Sequence, residues 1–454
     1  MRGVWPRAAA FFFLCSCIAR AAREPAPRPT PSPRSGQAPR RVRVGAANLA
    51  ASLAQLTDKH KVALIPEGHV MDFWPEPWRA AFAPERKLSS GQFGQVVSAR
   101  LECPDGPASD AKHFRVAVKT QADERHDLMN NEVRMMEQFR GPPFITLYHA
   151  ENYSYTCKAP TERSATGHDR GSAMIMAMEL VEGPSLSKLL AARTPVHTLL
   201  ELFAEVLFGI QLMSEAGYLH RDIKPDNIMV MGECRSSMGC HVRIIDFGFA
   251  CAYGRGAVGG VRPCRSIDGT PLYIPPEVFA KFGSKPDFSA GSNDVWSAGM
   301  ILHRILCGGV PARWEELVAS ALAKRQPLLE DAWNVTEEAC YHRVQRSSLR
   351  QWGRLMADML TNDPHARISP RQAHQRARAL LAPIFPWGPA VTGASSLAGA
   401  GAPGHLGAPP PEPPGCWRRP RVSASDIVTI ECSGTRRSAA AWLAVVALAA
   451  VRCR

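Results

Sequence analysis

The stretch YLHRDIKPDNIMV, Tyr218–Val230, is the most specific segment of this 454-residue chain, and the reading of the fold turns on it. It places His220, Arg221, Asp222, Lys224 and Asn227 in one short run. Just downstream, VRIIDFGFA contributes Asp246, Phe247 and Gly248. Upstream, the β-branched run FRVAVKT carries VAVK, ending in Lys119. Further upstream, KLSSGQFGQVVSA, Lys87–Ala99, looks like a phosphate-cradling loop with Ser89, Gly91 and Gly94 where three glycines are usual. One such run alone carries little weight; four in this order and spacing do not arise by accident.

Together these motifs resemble the eukaryotic protein kinase family, from Arg86 to Phe385. The resemblance implies an α+β, bilobal fold with a small β-rich N-lobe and a larger helical C-lobe. Local patterning points the same way, since FGQVVSARL and FRVAVKT read as strands and LLELFAEVLFGIQLMSEAG reads as a helix. Phosphoryl transfer is mostly positioning and charge neutralisation. On the resemblance, Asp222 accepts the proton of a substrate hydroxyl and Lys224 steadies the transferring group. Asn227 and Asp246 would hold Mg²⁺, which prefers hard carboxylate and carbonyl oxygens. Lys119 would meet the α- and β-phosphates of ATP.

Lys119 needs an acid to orient it. Leu128, Met135 and Phe139 make an apolar helical stripe, and Glu132 falls on it. A carboxylate in a buried stripe should have a cationic partner, and Glu132 also matches the family's helix glutamate. For the nucleotide, the resemblance sets Leu88, Val96, Ala117 and Met229 around adenine and Gly91 and Gly94 near the phosphates. Met178 is similar to the gatekeeper, and Glu179, Leu180 and Val181 to the hinge. Met136, Leu147, His220 and Phe247 match the stacked residues that link the lobes.

DGTPLYIPPE resembles the end of an activation segment, with Pro275-Pro276-Glu277 in place of A-P-E. Arg367 is placed to pair with Glu277, and Asp294 to brace the catalytic loop. Lys224 and Thr270 match the serine/threonine class, so protein Ser/Thr hydroxyls are the implied substrates. Arg221 reads as a buried cation without a counterion until an anion approaches. Ser266, similar to the family's activation-loop phosphosite, would supply that anion once phosphorylated. The glycine-loop departure at Ser89 invites a rival reading, a pseudokinase acting as a scaffold. Degenerate kinases usually lose the lysine, the catalytic aspartate or the metal aspartate, and all three stand here.

A hydrophobic content of 45% is enough for a sizeable core. A net charge of +13 fits phosphate-bearing ligands, anionic membranes or acidic substrates, and basic tails account for it equally well. No nucleic-acid partner is expected. Residues 1–22 read as a signal peptide, with Arg2 and Arg7 ahead of the apolar run Ala8–Ile18 and then ARAA. Residues 23–80 form a Pro/Arg-rich segment and N-terminal extension, with a weak helix over Asn48–Lys61 behind Arg40, Arg41 and Arg43 that could lie on a membrane. The kinase domain is expected over 81–385, a Gly/Pro-rich disordered linker over 386–437, and an apolar tail over 438–454 that could anchor the protein. A signal peptide, a basic extension and a kinase-like core resemble the layout of rhoptry kinases of apicomplexan parasites. That layout implies a protein secreted or stored in a secretory organelle, with host proteins as targets. The alternative is a kinase resident in the secretory pathway or anchored at a membrane. In an oxidising compartment cysteines pair, and Cys234 with Cys240 and Cys251 with Cys264 are the closest spaced candidates. No C-x-x-C pair exists, so a zinc site has no support. Asn152 and Asn334 head glycosylation sequons.

Overall fold

The computed structural model describes residues 74–91, 94–102, 114–123, 126–158, 168–232, 240–253, 261–279, 288, 291–324, 333–382, 412–414, 417, 419–423 and 428–431. The expected signal peptide, the expected helix over Asn48–Lys61, Cys234 and the expected anchoring tail lie outside the described residues.

GQVVSARL forms β2 (Gly94–Leu101) and RVAVKTQAD forms β3 (Arg115–Asp123), antiparallel, with Val97 opposite Val118 and Val96 opposite Lys119. β1 (Phe82–Gly91) flanks β2, while β4 (Leu147–Lys158) and β5 (His168–Glu179) extend the sheet in the order β1-β2-β3-β5-β4. Successive side chains on a strand point to opposite faces, and here both faces are covered. Ala117, Met174, Met176 and Met178 join the core shared with the helical lobe. Val97, Ala99, Val116, Val118, Ile175 and Ala177 join a second core with Trp74, Trp78, Phe82 and Phe114. The short helix α1 (Glu76–Ala81) brings Trp78 to that outer face.

The outer core is closed by residues from the C-terminal side of the chain. β10 (Val428–Glu431) adds parallel to β4, with Val428 opposite Tyr155, as a sixth strand. Trp417 meets the Phe82 ring edge-on at 5.3 Å. The Val422 N–H and the Trp78 indole N–H both donate to Glu151 Oε2, at 3.1 and 3.2 Å. The expectation of a coreless linker over 386–437 therefore fails for these residues. Gly/Pro composition cannot build a core of its own, yet Trp417, Val422 and Val428 complete one that the sheet already presents.

Helix α2 (His126–Gln138) packs beneath the sheet, and the hinge after β5 leads to α3 (Leu186–Ala191) and α4 (Val196–Glu215). The strands β6 (Tyr218–Leu219), β7 (Ile228–Gly232), β8 (Cys240–Ile244) and β9 (Cys251–Ala252) form two ribbons, β6 with β9 and β7 with β8. The chain continues through α5 (Pro276–Phe279), α6 (Asn293–Cys307), α7 (Ala312–Lys324), α8 (Ala339–Gln345), α9 (Arg350–Met359) and α10 (Pro370–Leu381). α4 is long and apolar enough to cross a membrane, but Leu199, Leu202, Phe203, Val206, Leu207 and Ile210 are buried in the C-lobe, so it is a core helix. The architecture is the bilobal, α+β one that the resemblance implies.

Two disulfides are formed among the described residues. Cys251–Cys264 is a pair suggested by spacing, and Cys307–Cys340 ties the end of α6 to α8 across a 33-residue separation that gives no local signal. Cys240 is disulfide-bonded as well. Asn152 and Asn334 are exposed.

Candidate active site

The site is assembled where β3, α2, the catalytic loop after β6 and the segment after β8 converge. The strand alternation that buries Val116 and Val118 outward turns Lys119 inward. There its Nζ lies 2.6 and 2.9 Å from the two carboxylate oxygens of Glu132 on α2. Both side chains are buried, at 7% and 4% exposure, and Asp246 Oδ1 is 3.8 Å from the same nitrogen. Burial pulls the Lys119 ammonium down, but the Glu132 and Asp246 carboxylates outweigh it and hold the amine above the usual lysine range.

Glu132's neighbour Asn131, which the sequence reading did not single out, bolts α2 to the activation segment. Its Nδ2 donates to the Ala250 carbonyl at 2.8 Å and its Oδ1 accepts from the Arg262 N–H at 3.0 Å. An asparagine on the buried side of a helix must find partners, and that was the available signal.

The site holds two non-glycine residues in the left-handed region, Arg221 in the catalytic loop and Asp246 after β8, each at φ 67°. Such strain persists only where the surroundings over-determine it. Here Asp294, buried at the start of α6, accepts the His220 and Arg221 N–H groups at 2.7 and 2.8 Å. Burial pushes the Asp294 carboxyl up, and those donors pull against it. The His220 and Phe247 rings meet at 5.1 Å, tilted by 51°, Met136 is buried in the same core, and Leu147 packs against it half-buried.

Asp222 is the hub of the loop. Its Oδ2 accepts from Lys224 Nζ at 2.6 Å and Asn227 Nδ2 at 2.8 Å. Its Oδ1 accepts from the Thr270 N–H at 3.0 Å and hydroxyl at 2.6 Å, and Lys224 also donates to Thr270 Oγ1 at 2.8 Å. Asn227 Nδ2 also donates to the Asp222 carbonyl, so the amide oxygen is the atom Asn227 can offer a cation. Asp246 Oδ1 is buried without a hydrogen-bond partner. A carboxylate oxygen without a hydrogen bond and an amide carbonyl are hard-oxygen donors of the kind that suit a divalent cation.

The residues expected around adenine lie on β1, β2, β3, β5, β7 and the hinge. Ala117 and Met178 are buried and face each other across β3 and β5, Val96, Val181 and Met229 are half-buried, and Leu88 is exposed. The Glu179 side chain accepts from Arg243 Nε at 2.9 Å and from the Thr146 N–H at 3.2 Å. Gly91 and Gly94 pair at the tip of the β1–β2 hairpin, and Ser89 pairs with Val96 within the ladder.

The activation segment differs from expectation at Arg221, which is not an isolated cation. Asp268 Oδ2 lies 3.4 Å from Arg221 Nη1 and 3.4 Å from Arg262 Nη2. Burial lowers the Arg221 guanidinium to about 10, with Asp268 opposing the fall. Ser266, exposed, donates its hydroxyl to Asp268, and its carbonyl accepts from Arg221. The sequence reading missed Asp268 because the residue before G-T-P carries no chemistry until the segment folds back. At the segment's end Arg367 meets Glu277 through two bonds of 2.8 Å, both side chains buried.

A family model described as "Protein kinase domain" matches residues 82–377. Myosin light chain kinase 3 of Danio rerio is 28% identical over 269 residues, covering 57% of this chain and 32% of that protein. Serine/threonine-protein kinase PEPKR2 of Arabidopsis thaliana is 25% identical over 286 residues, covering 63% of this chain and 50% of that one. Serine/threonine-protein kinase pkn2 of Myxococcus xanthus is 29% identical over 271 residues, covering 59% of this chain and 29% of that one. The chain thus spans half or less of the length of these relatives.

Proposed function

Because this chain belongs to the protein kinase family, we propose that it transfers the γ-phosphoryl of ATP to serine and threonine hydroxyls of proteins. The observation that carries the proposal is Asp222, whose two oxygens are sorted by their partners. Lys224 and Asn227 hold Oδ2, while Oδ1 already accepts an alcohol O–H, that of Thr270, at 2.6 Å. A substrate hydroxyl presented to this carboxylate gives up its proton as its oxygen bonds to the phosphoryl group and the bond to the ADP oxygen breaks. Lys119, kept charged and oriented by Glu132, holds the α- and β-phosphates, and Lys224 stabilises the moving charge. Asn227 and Asp246 would hold Mg²⁺, which when bound neutralises the phosphate oxygens. Lys224 and Thr270, the residues that mark the serine/threonine class, are in contact at 2.8 Å, which supports that specificity.

The test is transfer of labelled γ-phosphate to a generic basic protein, followed by identification of the phosphorylated residue type. Asp222→Asn is expected to lower the rate by on the order of a thousandfold. Nucleotide binding by the wild-type chain without transfer would favour the scaffold reading instead.

We further propose that the protein acts in the secretory pathway, as a secreted or organelle-stored kinase of rhoptry-like layout that modifies host proteins. Disulfide formation at Cys251–Cys264 and Cys307–Cys340 supports an oxidising compartment. Fractionating tagged full-length protein and a form lacking residues 435–454 tests this; recovery of both in the cytosol would end it. Loss of membrane association on truncation would assign anchoring to the tail.

A further inference from the structure

Arg221 lies between the catalytic loop and the activation segment, and the anion it meets there is part of the chain. Resting on the kinase reading above, we propose that Asp268 takes the place of a phosphate, holding the activation segment in its working arrangement so that phosphotransfer needs no phosphorylation of the segment.

Arg221 and Arg262 share the Asp268 carboxylate, 1% exposed, at 3.4 Å each, and Asp294 binds the Arg221 backbone from the other side. Asp268 is thus the counterion that both guanidiniums share, and Asp294 adds a second buried carboxylate close to Arg221. A phosphate on Ser266 would bring a charge of about −1.5 to −2 against Asp268. It would also remove the hydroxyl proton that Ser266 now donates to that carboxylate.

Asp268 directly precedes Gly269, whose φ of 117° carries the chain hard against the Arg221 carbonyl, where a Cβ would lie 2.4 Å from that oxygen. The following residue, Thr270, is the one that touches Asp222. Asp268 therefore acts as a positioning residue, fixing the turn that delivers Thr270 to the base.

A covalent link secures the upstream side. Cys251 in β9 is bonded to Cys264, with the Cys264 N–H on the Ala252 carbonyl at 3.0 Å and the Ala252 N–H on the Arg262 carbonyl at 2.9 Å. Arg221 Nη1 donates to the Cys251 sulfur at 3.7 Å. Both approaches to Asp268 are thus held by groups that no phosphatase removes.

The experiment uses full-length chain treated with phosphatase, with absence of phosphate verified by intact mass. Its transfer rate is expected to match untreated protein within about twofold, as is that of Ser266→Ala. Asp268→Asn is expected to lose on the order of a hundredfold, as for a contact that misplaces reacting groups by about an ångström. Asp268→Glu should recover part of that loss. Amide hydrogen exchange over residues 261–279 should be slow in phosphatase-treated wild type and fast in Asp268→Asn. Should Asp268→Asn fail to fold, the Arg221→Met/Asp268→Asn double variant removes one of the two stranded cations, the more buried one, and is expected to regain part of its melting temperature without activity. Activity lost on phosphatase treatment and regained on rephosphorylation would overturn the proposal, as would an Asp268→Asn variant with wild-type rate and exchange. If no form of the protein transfers phosphate, the kinase reading fails, while the exchange comparison still decides the role of Asp268.

Discussion

Replacing Glu132 by glutamine tests the central ion pair with almost no change in volume. Lys119 Nζ now receives two carboxylate oxygens at 2.6 and 2.9 Å in a setting only 4–7% exposed. Glutamine offers a single neutral acceptor. Breaking a buried pair from one side costs about 3–5 kcal/mol when the remaining charge has no other partner. Lys119 does have one, because Asp246 Oδ1 stands 3.8 Å away. The stability loss should therefore fall below that range, at about 2–3 kcal/mol. The larger effect is on chemistry, since Lys119 drawn onto Asp246 leaves the phosphates and competes with the cation for the same oxygen. A loss of about 3 kcal/mol in transition-state stabilisation is roughly a hundredfold in kcat/KM. Initial rates at varied ATP and Mg²⁺ read this directly. The Mg²⁺ concentration for half-maximal rate should rise in Glu132→Gln, a change that mere loss of folded protein would not produce. If Glu132→Gln kept kcat/KM within about threefold of wild type while Lys119→Met was inactive, Lys119 would not depend on Glu132 for its position.

Gly269→Ala places a Cβ 2.4 Å from the Arg221 carbonyl oxygen at φ 117°, so a stability loss of about 1–3 kcal/mol and a parallel fall in transfer rate are expected by denaturant melt and activity assay. Arg367→Met strands the buried Glu277 and should cost about 3–5 kcal/mol, with Arg367→Met/Glu277→Leu costing less than the sum of its parts in a double-mutant cycle. Trp417→Ala removes the ring packed on Phe82 from a half-buried position and should destabilise the chain by about 2 kcal/mol, less than for a fully buried tryptophan, in the same melts. Glu201, raised to about 7 by burial and by Glu205, is penalised in its charged form when folded. Stability is then lost as pH rises from the unfolded value of 4.5 through about 7, so Glu201→Gln should melt higher than wild type at pH 8 and alike at pH 4.

The catalytic set was legible because its members act close to where they stand in the chain. His220, Asp222, Lys224 and Asn227 form one loop, and the apolar stripe of α2 sufficed to select Glu132. What the sequence hid depends on chain reversal. Asp268 reaches Arg221 from 47 residues away in numbering, and Cys340 reaches Cys307 only after α7 has intervened. The β10 strap was hidden differently, by composition that reads as coreless. A signal for it did exist in β5, where Ala173–Met178 offers no polar residue to either face. A strand apolar on both sides is covered on both sides, so something had to lie over the outer face of the sheet.

The same logic settles what the missing glycine means for the fold. Ser89 lies in β1 opposite Val96, in extended backbone that any residue adopts, two positions before the hairpin tip. Glycine is required where φ is positive or where backbone approaches closely, and the tip keeps its glycines at Gly91 and Gly94. Ser89 is exposed, so its hydroxyl needs no buried partner. The substitution that most suggests a degenerate kinase thus falls where the ladder tolerates a side chain. Lys119 and Asp246 meanwhile share an ion-pair cluster with Glu132, and Asp222 and Asn227 are joined by a hydrogen bond in the catalytic loop. Asp246 Oδ1, a buried atom with no hydrogen bond and only a 3.8 Å ion pair to Lys119, keeps acceptor capacity that a divalent cation would use and a scaffold would not need.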